Sequence, residues 1–131
     1  MKNIIITGTS RGIGFELAQL FAKNNYQVLA LSRNIAPLDK LDLKNITAIS
    51  VDLSAENDLK KVTDFVDKNW KQVDILINNA GKLINKPFRD LTSEDFLEVY
   101  KVNVFAVAEL TRVLIPYLKK GSHVLNISSI G

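Results

Sequence analysis

The chain has 131 residues, of which 47% are hydrophobic and 24% charged, so it can bury a core and is not a disordered or fibrous protein. Its 17 basic and 14 acidic residues are mixed along the sequence and give a net charge of +3, which does not favour a nucleic-acid partner. It has no cysteine and no apolar stretch near the ~20 residues of a membrane span, so we expect one cytoplasmic domain over residues 1–131 without membrane contact or a metal site.

Short apolar runs rich in β-branched residues alternate with amphipathic segments along the chain. The runs predict strands at 3–7, 27–32, 47–51, 73–78 and 123–128. The amphipathic segments predict helices at 12–24, 55–69 and 93–118, and residues 34–44 predict a loop. Met1 leads directly into the first strand, which is not the pattern of a signal peptide. Right-handed crossovers wind this order into an α/β fold, a Rossmann-like doubly wound parallel sheet with strand order 3-2-1-4-5 in three α/β/α layers.

The helix signals also predict faces and ends. Four apolar side chains of the first helix are expected to face the sheet, namely Ile13, Leu17, Leu20 and Phe21. The long helix has Thr92 as its N-cap and Asp95 at the third position, which approximates a capping box. Pro116 should end or kink its last turn, and Gly121 should mark its C-terminal stop.

A glycine-rich turn joins the first strand to the first helix. A turn of this kind presents backbone N–H groups and the positive helix end to an anion, typically the pyrophosphate of a dinucleotide. Gly8 permits the sharp exit from the strand, Gly12 lets the backbone approach phosphates, and Gly14 lets the helix pack closely on the sheet. No Gly-Lys-Ser/Thr follows, so this is not a Walker loop. The alternative is a tight strand-to-helix turn without a ligand.

Two arginines near this turn bear on which dinucleotide would bind. An NAD site places an acidic residue roughly 20 residues beyond the loop, at the end of the second strand. This chain has Ser32-Arg33 there, and Arg11 lies inside the loop. Both guanidinium groups could hold a 2′-phosphate, which favours NADP(H) over NAD(H). Two unrelated surface arginines are the alternative.

Several short motifs occur in the same order as in the short-chain dehydrogenase/reductase family, classical type. They are Thr7-Gly8-x-x-x-Gly12-Ile13-Gly14, Asp52-Leu53, Asn78-Asn79-Ala80-Gly81, Asn103 and Ser128-Ser129. Over its whole length the chain resembles the N-terminal portion of this family. The resemblance implies hydride transfer between a nicotinamide cofactor and a carbonyl or alcohol substrate.

The resemblance also implies roles for particular residues. Cofactor contacts are expected from Gly8, Ser10, Arg11, Gly12, Ile13, Gly14, Arg33, Asp52, Leu53, Asn79, Ala80 and Gly81. Asp52 would accept from the adenine amino group, although an Asp there could simply form a turn. Asn103 would bend the long helix and hold a water of a proton relay, with a solvated Asn as the alternative. Ser129 would hydrogen-bond the substrate oxygen, ahead of Ser128.

The family's Tyr-x-x-x-Lys pair has no counterpart in this sequence. Tyr26, Tyr100 and Tyr117 are not followed by a lysine four residues later. We therefore expect a C-terminally incomplete domain that is inactive alone, with no readable substrate identity. A non-catalytic NADP(H)-binding module or sensor, and a fragment that binds nothing tightly, remain the alternatives.

The expected lack of a covering helix leaves apolar strand residues without a partner on one face of the sheet. These are Ile75, Leu76, Val124 and Leu125. In the family, the long helix contributes to a dimer interface. We therefore expect a homo-oligomer that forms through helix 93–118 and the exposed sheet face.

Overall fold

All five predicted strands are present and form one parallel sheet. They are β1 (Lys2–Thr7), β2 (Tyr26–Ser32), β3 (Ile46–Ser50), β4 (Val73–Asn78) and β5 (Leu118–Asn126). Their order in the sheet is β3-β2-β1-β4-β5, which confirms the predicted topology. The structure is a computed structural model that describes residues 1–128.

Five α-helices connect the strands. They are α1 (Gly12–Lys23), α2 (Ala36–Asp39), α3 (Glu56–Phe65), α4 (Ser93–Tyr100) and α5 (Ala106–Leu114). A π-helical turn at Val66–Trp70 extends α3, and another at Lys101–Phe105 joins α4 to α5 into one long helical segment. Within residues 1–128 none of these helices is long and apolar enough to cross a membrane.

The core lies on both faces of the sheet, because buried strand residues alternate between them. On one face, Ile5, Leu29, Leu31 and Leu76 pack with Leu59, Val62 and Val66 from the α3 side and with Leu110 and Leu114 of α5. On the other face, Ile4, Ile6, Val28, Ala30 and Ile77 pack with Ala18 and Ala22 of α1. This is the predicted three-layer α/β/α arrangement.

The predicted buried face of α1 was partly wrong. Ile13 and Leu20 are 62% and 57% exposed, whereas the buried positions of the helix are Gly14, Ala18 and Ala22. These small residues recur every four positions and let the helix backbone approach the sheet closely. Side-chain size therefore decided the buried face, with Leu17 and Phe21 packed at its margins.

The region after the long helix also differs from the prediction. The helix ends as predicted at Pro116, within a 3₁₀ turn at Ile115–Tyr117, but Gly121 is no helix stop. It lies inside β5 with a φ of +93°. The Ser122 hydroxyl donates to the Val73 carbonyl at 2.8 Å and accepts from the Lys119 N–H at 2.9 Å. These bonds start β5 five residues earlier than its apolar run indicated.

The predicted loop 34–44 contains the short helix α2, which has a proline in its first turn.

The prediction that four strand residues lack a covering helix is confirmed for some of them. Val124 and Leu125 are 42% and 52% exposed, but Leu76 is fully buried because α5 covers it. Ile75 is half-buried against the α1 side.

Candidate functional site

A cleft lies at the carboxyl ends of the central strands. Its volume is about 1130 Å³. Ten of the predicted cofactor residues line it, namely Gly8, Ser10, Arg11, Gly12, Arg33, Asp52, Leu53, Asn79, Ala80 and Gly81. Ile13 and Gly14, the other two, lie in the first turn of α1 behind the loop. The sheet order reverses at β1 and β4, which is where open α/β sheets form ligand crevices.

The glycines of the loop meet different constraints. Gly8 and Gly12 have φ angles of +67° and +61°, a region that disfavours side chains. A Cβ at Gly8 would lie 2.9 Å from the Ala80 Cα, whereas one at Gly12 would meet nothing within 4 Å. A Cβ at Gly14 would lie 2.2 Å from the Gly8 carbonyl oxygen and 2.6 Å from the Asn79 amide nitrogen. Gly14 is therefore required for helix packing, and Gly12 for backbone conformation.

Thr7 joins the glycine loop to the end of β4. Its hydroxyl oxygen is buried and accepts from the Asn79 and Ala80 backbone N–H groups, at 2.9 and 2.8 Å. The Asn79 side chain in turn donates to the Gly8 carbonyl at 3.1 Å. Sequence reasoning did not assign Thr7 this role. The available signal was a threonine, rather than an aliphatic residue, at the end of a buried strand.

Thr9 is a second residue that sequence reasoning missed. It is fully buried, and its hydroxyl donates to the Leu31 carbonyl at 3.1 Å. This bond ties the loop to β2, on the other side of β1 from β4. The loop is thus held between two strands before any ligand binds.

Both predicted arginines, Arg11 and Arg33, line the cleft. Arg11 is the N-cap of α1 and has extended backbone, and no acidic residue occupies the first turn of that helix. The helix end therefore keeps its positive character. Arg33 follows β2, and its carbonyl accepts from the Ser50 hydroxyl at 2.8 Å. The structure brings both guanidinium-bearing residues to one cavity.

Asp52 forms a tight turn after β3. Its Oδ1 accepts from the Ser54 N–H at 3.0 Å and from the Ser54 hydroxyl at 2.6 Å. These hydrogen bonds lower the pKa of Asp52 below its usual 3.8, against a smaller desolvation effect, and Arg33 and Lys101 lower it further. The turn therefore exists, and it leaves a charged carboxylate at the cleft.

Asn103 lies within the π-helical turn between α4 and α5. Its Oδ1 accepts from the Lys82 N–H at 2.7 Å, and its Nδ2 donates to the Lys82 carbonyl at 2.9 Å. The side chain thus pairs with the backbone of the segment that follows Gly81. Ion pairs from Lys82 to Glu98 and from Lys86 to Asp95 fasten the same segment to α4.

Ser129 lies outside the described residues. The end of β5, which precedes it, is held to β4 by hydrogen bonds of amide groups. Asn78 and Asn126 are register partners, and the Asn78 Nδ2 donates to the Asn126 Oδ1 at 2.8 Å. The Ile127 N–H donates to the Asn78 carbonyl at 3.0 Å. These bonds hold the end of β5 and the following Ile127 beside the end of β4.

Comparison with known proteins identifies relatives that match most of this chain. The family described as short chain dehydrogenase matches residues 2–131. A probable short-chain type dehydrogenase/reductase of Helicobacter pylori is 33% identical over 96% of this chain and 47% of its own length. An NADPH-dependent 1-acyldihydroxyacetone phosphate reductase of Saccharomyces cerevisiae is 31% identical over 91% of this chain and 42% of its own.

Solved structures have the same fold. A short-chain dehydrogenase from Streptomyces avermitilis superposes with a TM-score of 0.90 at 32% identity, over 98% of this chain and 49% of that one. A 3-ketoacyl-(acyl-carrier-protein) reductase from Brucella melitensis, complexed with NADH, gives a TM-score of 0.88 at 30% identity, over 98% and 57%. The chain thus spans about half the length of these relatives.

Proposed function

Because this chain belongs to the short-chain dehydrogenase family, we propose that it forms the NADP(H)-binding part of an oxidoreductase that moves hydride between nicotinamide and a carbonyl or alcohol carbon. Its fold is the nicotinamide-dinucleotide fold of that family. The cleft of about 1130 Å³ is large enough to hold a dinucleotide. Its glycine loop leads into α1, whose first turn has no acidic residue and can therefore bind an anion.

One observation favours NADP(H) over NAD(H). Arg11 and Arg33 line one cavity, and Ser32, Arg33 and Asn34 at the end of β2 include no acid that could bind a ribose 2′-hydroxyl. Two guanidinium groups would form charge-assisted hydrogen bonds with a 2′-phosphate. The names of the relatives mention NADPH for one and NADH for another, so the preference proposed for this chain rests on its own arginines.

Different residues of this chain would contact different parts of the cofactor. The loop from Gly8 to Gly14 would hold the pyrophosphate by backbone N–H groups, and Asp52 would accept from the adenine amino group. The bound cofactor supplies or accepts a hydride at its nicotinamide ring. Asn103 would keep the segment after Gly81 in place beside the cleft, and Ser129 would hydrogen-bond the substrate oxygen. We expect cofactor binding without turnover, because a Tyr-x-x-x-Lys pair is not in this sequence.

A non-catalytic NADP(H)-binding module would need the same cleft. The coding sequence beyond residue 131 distinguishes the two functions. An in-frame Tyr-x-x-x-Lys supports the oxidoreductase, whereas a stop codon there supports the module.

Replacing Arg33 tests the cofactor assignment. We predict that Arg33→Asp weakens NADPH binding about tenfold or more, the value of one lost charge-assisted hydrogen bond, and leaves NADH binding almost unchanged. Affinities are measured by nucleotide fluorescence. Arg89→Asp, an equal charge change at an exposed residue away from the cleft lining, is the control and should alter neither affinity. Equal losses for NADPH and NADH with Arg33→Asp would refute the 2′-phosphate assignment.

A further inference from the structure

The turn that carries Asp52 is anchored by a residue outside the cleft. The backbone N–H of Asp52 donates to the Asp58 Oδ2 at 2.8 Å. Asp58 lies in the first turn of α3, and its own N–H donates to the Ala55 carbonyl at 3.0 Å. It does not line the cleft. The carboxylate of Asp58 thus fixes where the Asp52–Leu53 segment leaves β3.

Lys61 extends this contact to the end of β2. Its Nζ lies 3.3 Å from the Asp58 Oδ1 and donates to the Ser50 carbonyl at 3.4 Å. The Ser50 hydroxyl donates to the Arg33 carbonyl at 2.8 Å. One ion pair on α3 is therefore linked by hydrogen bonds to both Asp52 and Arg33.

The Asp58 contact is the strongest member of this network. A carboxylate that accepts a backbone N–H forms a charge-assisted bond, which is shorter and stronger than a neutral one. The Asp52 N–H is the main cause that lowers the pKa of Asp58, ahead of Lys61, so Asp58 stays charged at neutral pH. Lys61 is 54% exposed and contributes less by itself.

We propose that Asp58, braced by Lys61, is a positioning residue that holds the adenosine-binding edge of the cleft in its binding conformation. Binding energy is lost when a loop must be ordered at the moment of binding. Because Asp58 already holds the turn that would contact adenine, the turn does not have to be ordered when the ligand binds. The inference rests on the proposed function, because it assumes that a dinucleotide occupies the cleft.

Substitution of Asp58 and the choice of ligand test this role. The 131-residue chain and its variants are titrated with NADPH, with adenosine 2′,5′-bisphosphate, which carries only the adenosine half, and with reduced nicotinamide mononucleotide, which lacks it. We expect Asp58→Ala to weaken the first two ligands by the same factor, roughly three- to tenfold, and to leave the third unchanged. Asp58→Asn keeps an acceptor oxygen and should lose less.

Asp64→Ala is the matched control, since Asp64 lies on the same helix and forms an ordinary exposed pair with Lys60 at 2.9 Å. It should change none of the three affinities. If Asp58→Ala is poorly folded by circular dichroism, Asp58→Asn provides the measurement. An unchanged NADPH affinity in both Asp58 variants, or an equal loss for all three ligands, would overturn the positioning role while the wild type still binds. A wild type that binds no ligand would instead reject the proposed function and this inference with it.

Discussion

Individual glycines of the loop are needed for different physical reasons. At Gly14 a side chain would collide with the Gly8 carbonyl and the Asn79 amide, whereas at Gly12 the space is open and only the positive φ disfavours a side chain. The spacing in the sequence predicted three special positions. It could not separate steric from conformational constraints, because one of the colliding groups belongs to Asn79, which is far from Gly14 in the sequence.

We predict that Gly14→Ala destabilises the chain more than Gly12→Ala. The first substitution creates overpacking, which costs about 1–3 kcal/mol, and the second places alanine in the left-handed region, which costs about 1–2 kcal/mol. The contacts of 2.2 and 2.6 Å put Gly14 at the upper end of its range. Urea denaturation measures both free energies of unfolding. A larger loss at Gly12 would contradict this account of the loop.

The same limit applies to other residues of the site. Gly8, Arg11, Arg33, Asp52 and the Asn79–Gly81 segment were predicted from local motifs, and the structure brings them to one cleft. Thr7, Thr9 and Asp58 were not predicted to act there. Their roles depend on hydrogen bonds between strands and helices, which a one-dimensional pattern does not contain.

At the scale of elements, local signals predicted the starts of helices better than their ends. Thr92 and Asp95 form the complete capping box, with bonds of 3.0 and 3.1 Å. The end was harder to predict, because β5 begins directly after the 3₁₀ turn at Ile115–Tyr117 and includes Gly121. The hydrogen bond from the Ser122 hydroxyl to the Val73 carbonyl holds this segment in the sheet, so Gly121 does not act as a helix stop.

The capping box predicts a pH-dependent contribution to stability. The Thr92 N–H first, and then Lys86, hold the pKa of Asp95 below its usual 3.8. A carboxylate of lowered pKa stabilises the folded chain above that value, and the contribution is lost as pH falls below 3.8. Asp95→Asn should therefore lower the free energy of unfolding at pH 7, by an amount that shrinks below pH 4. Asp90→Asn, at an exposed carboxylate outside the capping box, is the matched control for the loss of one acidic residue. A difference between wild type and Asp95→Asn that stays constant into acid would contradict this assignment.

At the scale of the whole molecule, strand order and layering followed from the alternation of apolar runs and helices together with right-handed crossovers. The distribution of exposed apolar side chains was predicted only in part. Several lie on the long helical segment, namely Phe96, Leu97, Tyr100, Val104 and Phe105, and two lie on β5, namely Val124 and Leu125. The exposed apolar side chains of the long helical segment are of the kind that is typical of association sites. We propose that the chain self-associates through the surface that they form.

Phe105→Glu tests this proposal, because Phe105 is 58% exposed on that surface. We expect sedimentation velocity to give a larger species for the wild type at micromolar concentration and mainly monomer for the variant. Leu20→Glu is the control, since Leu20 is 57% exposed on the outer side of α1 and should not affect association. A monomeric wild type, or a variant that associates as the wild type does, would contradict the proposal.

We propose above all that this chain forms a dinucleotide-binding site that prefers NADP(H) to NAD(H). Calorimetric titration of the 131-residue chain with NADPH and with NADH tests it most directly. We expect saturable binding of NADPH and of NADH at one site, with NADPH at least about tenfold tighter because of its 2′-phosphate. Binding of neither nucleotide, or tighter binding of NADH, would contradict it.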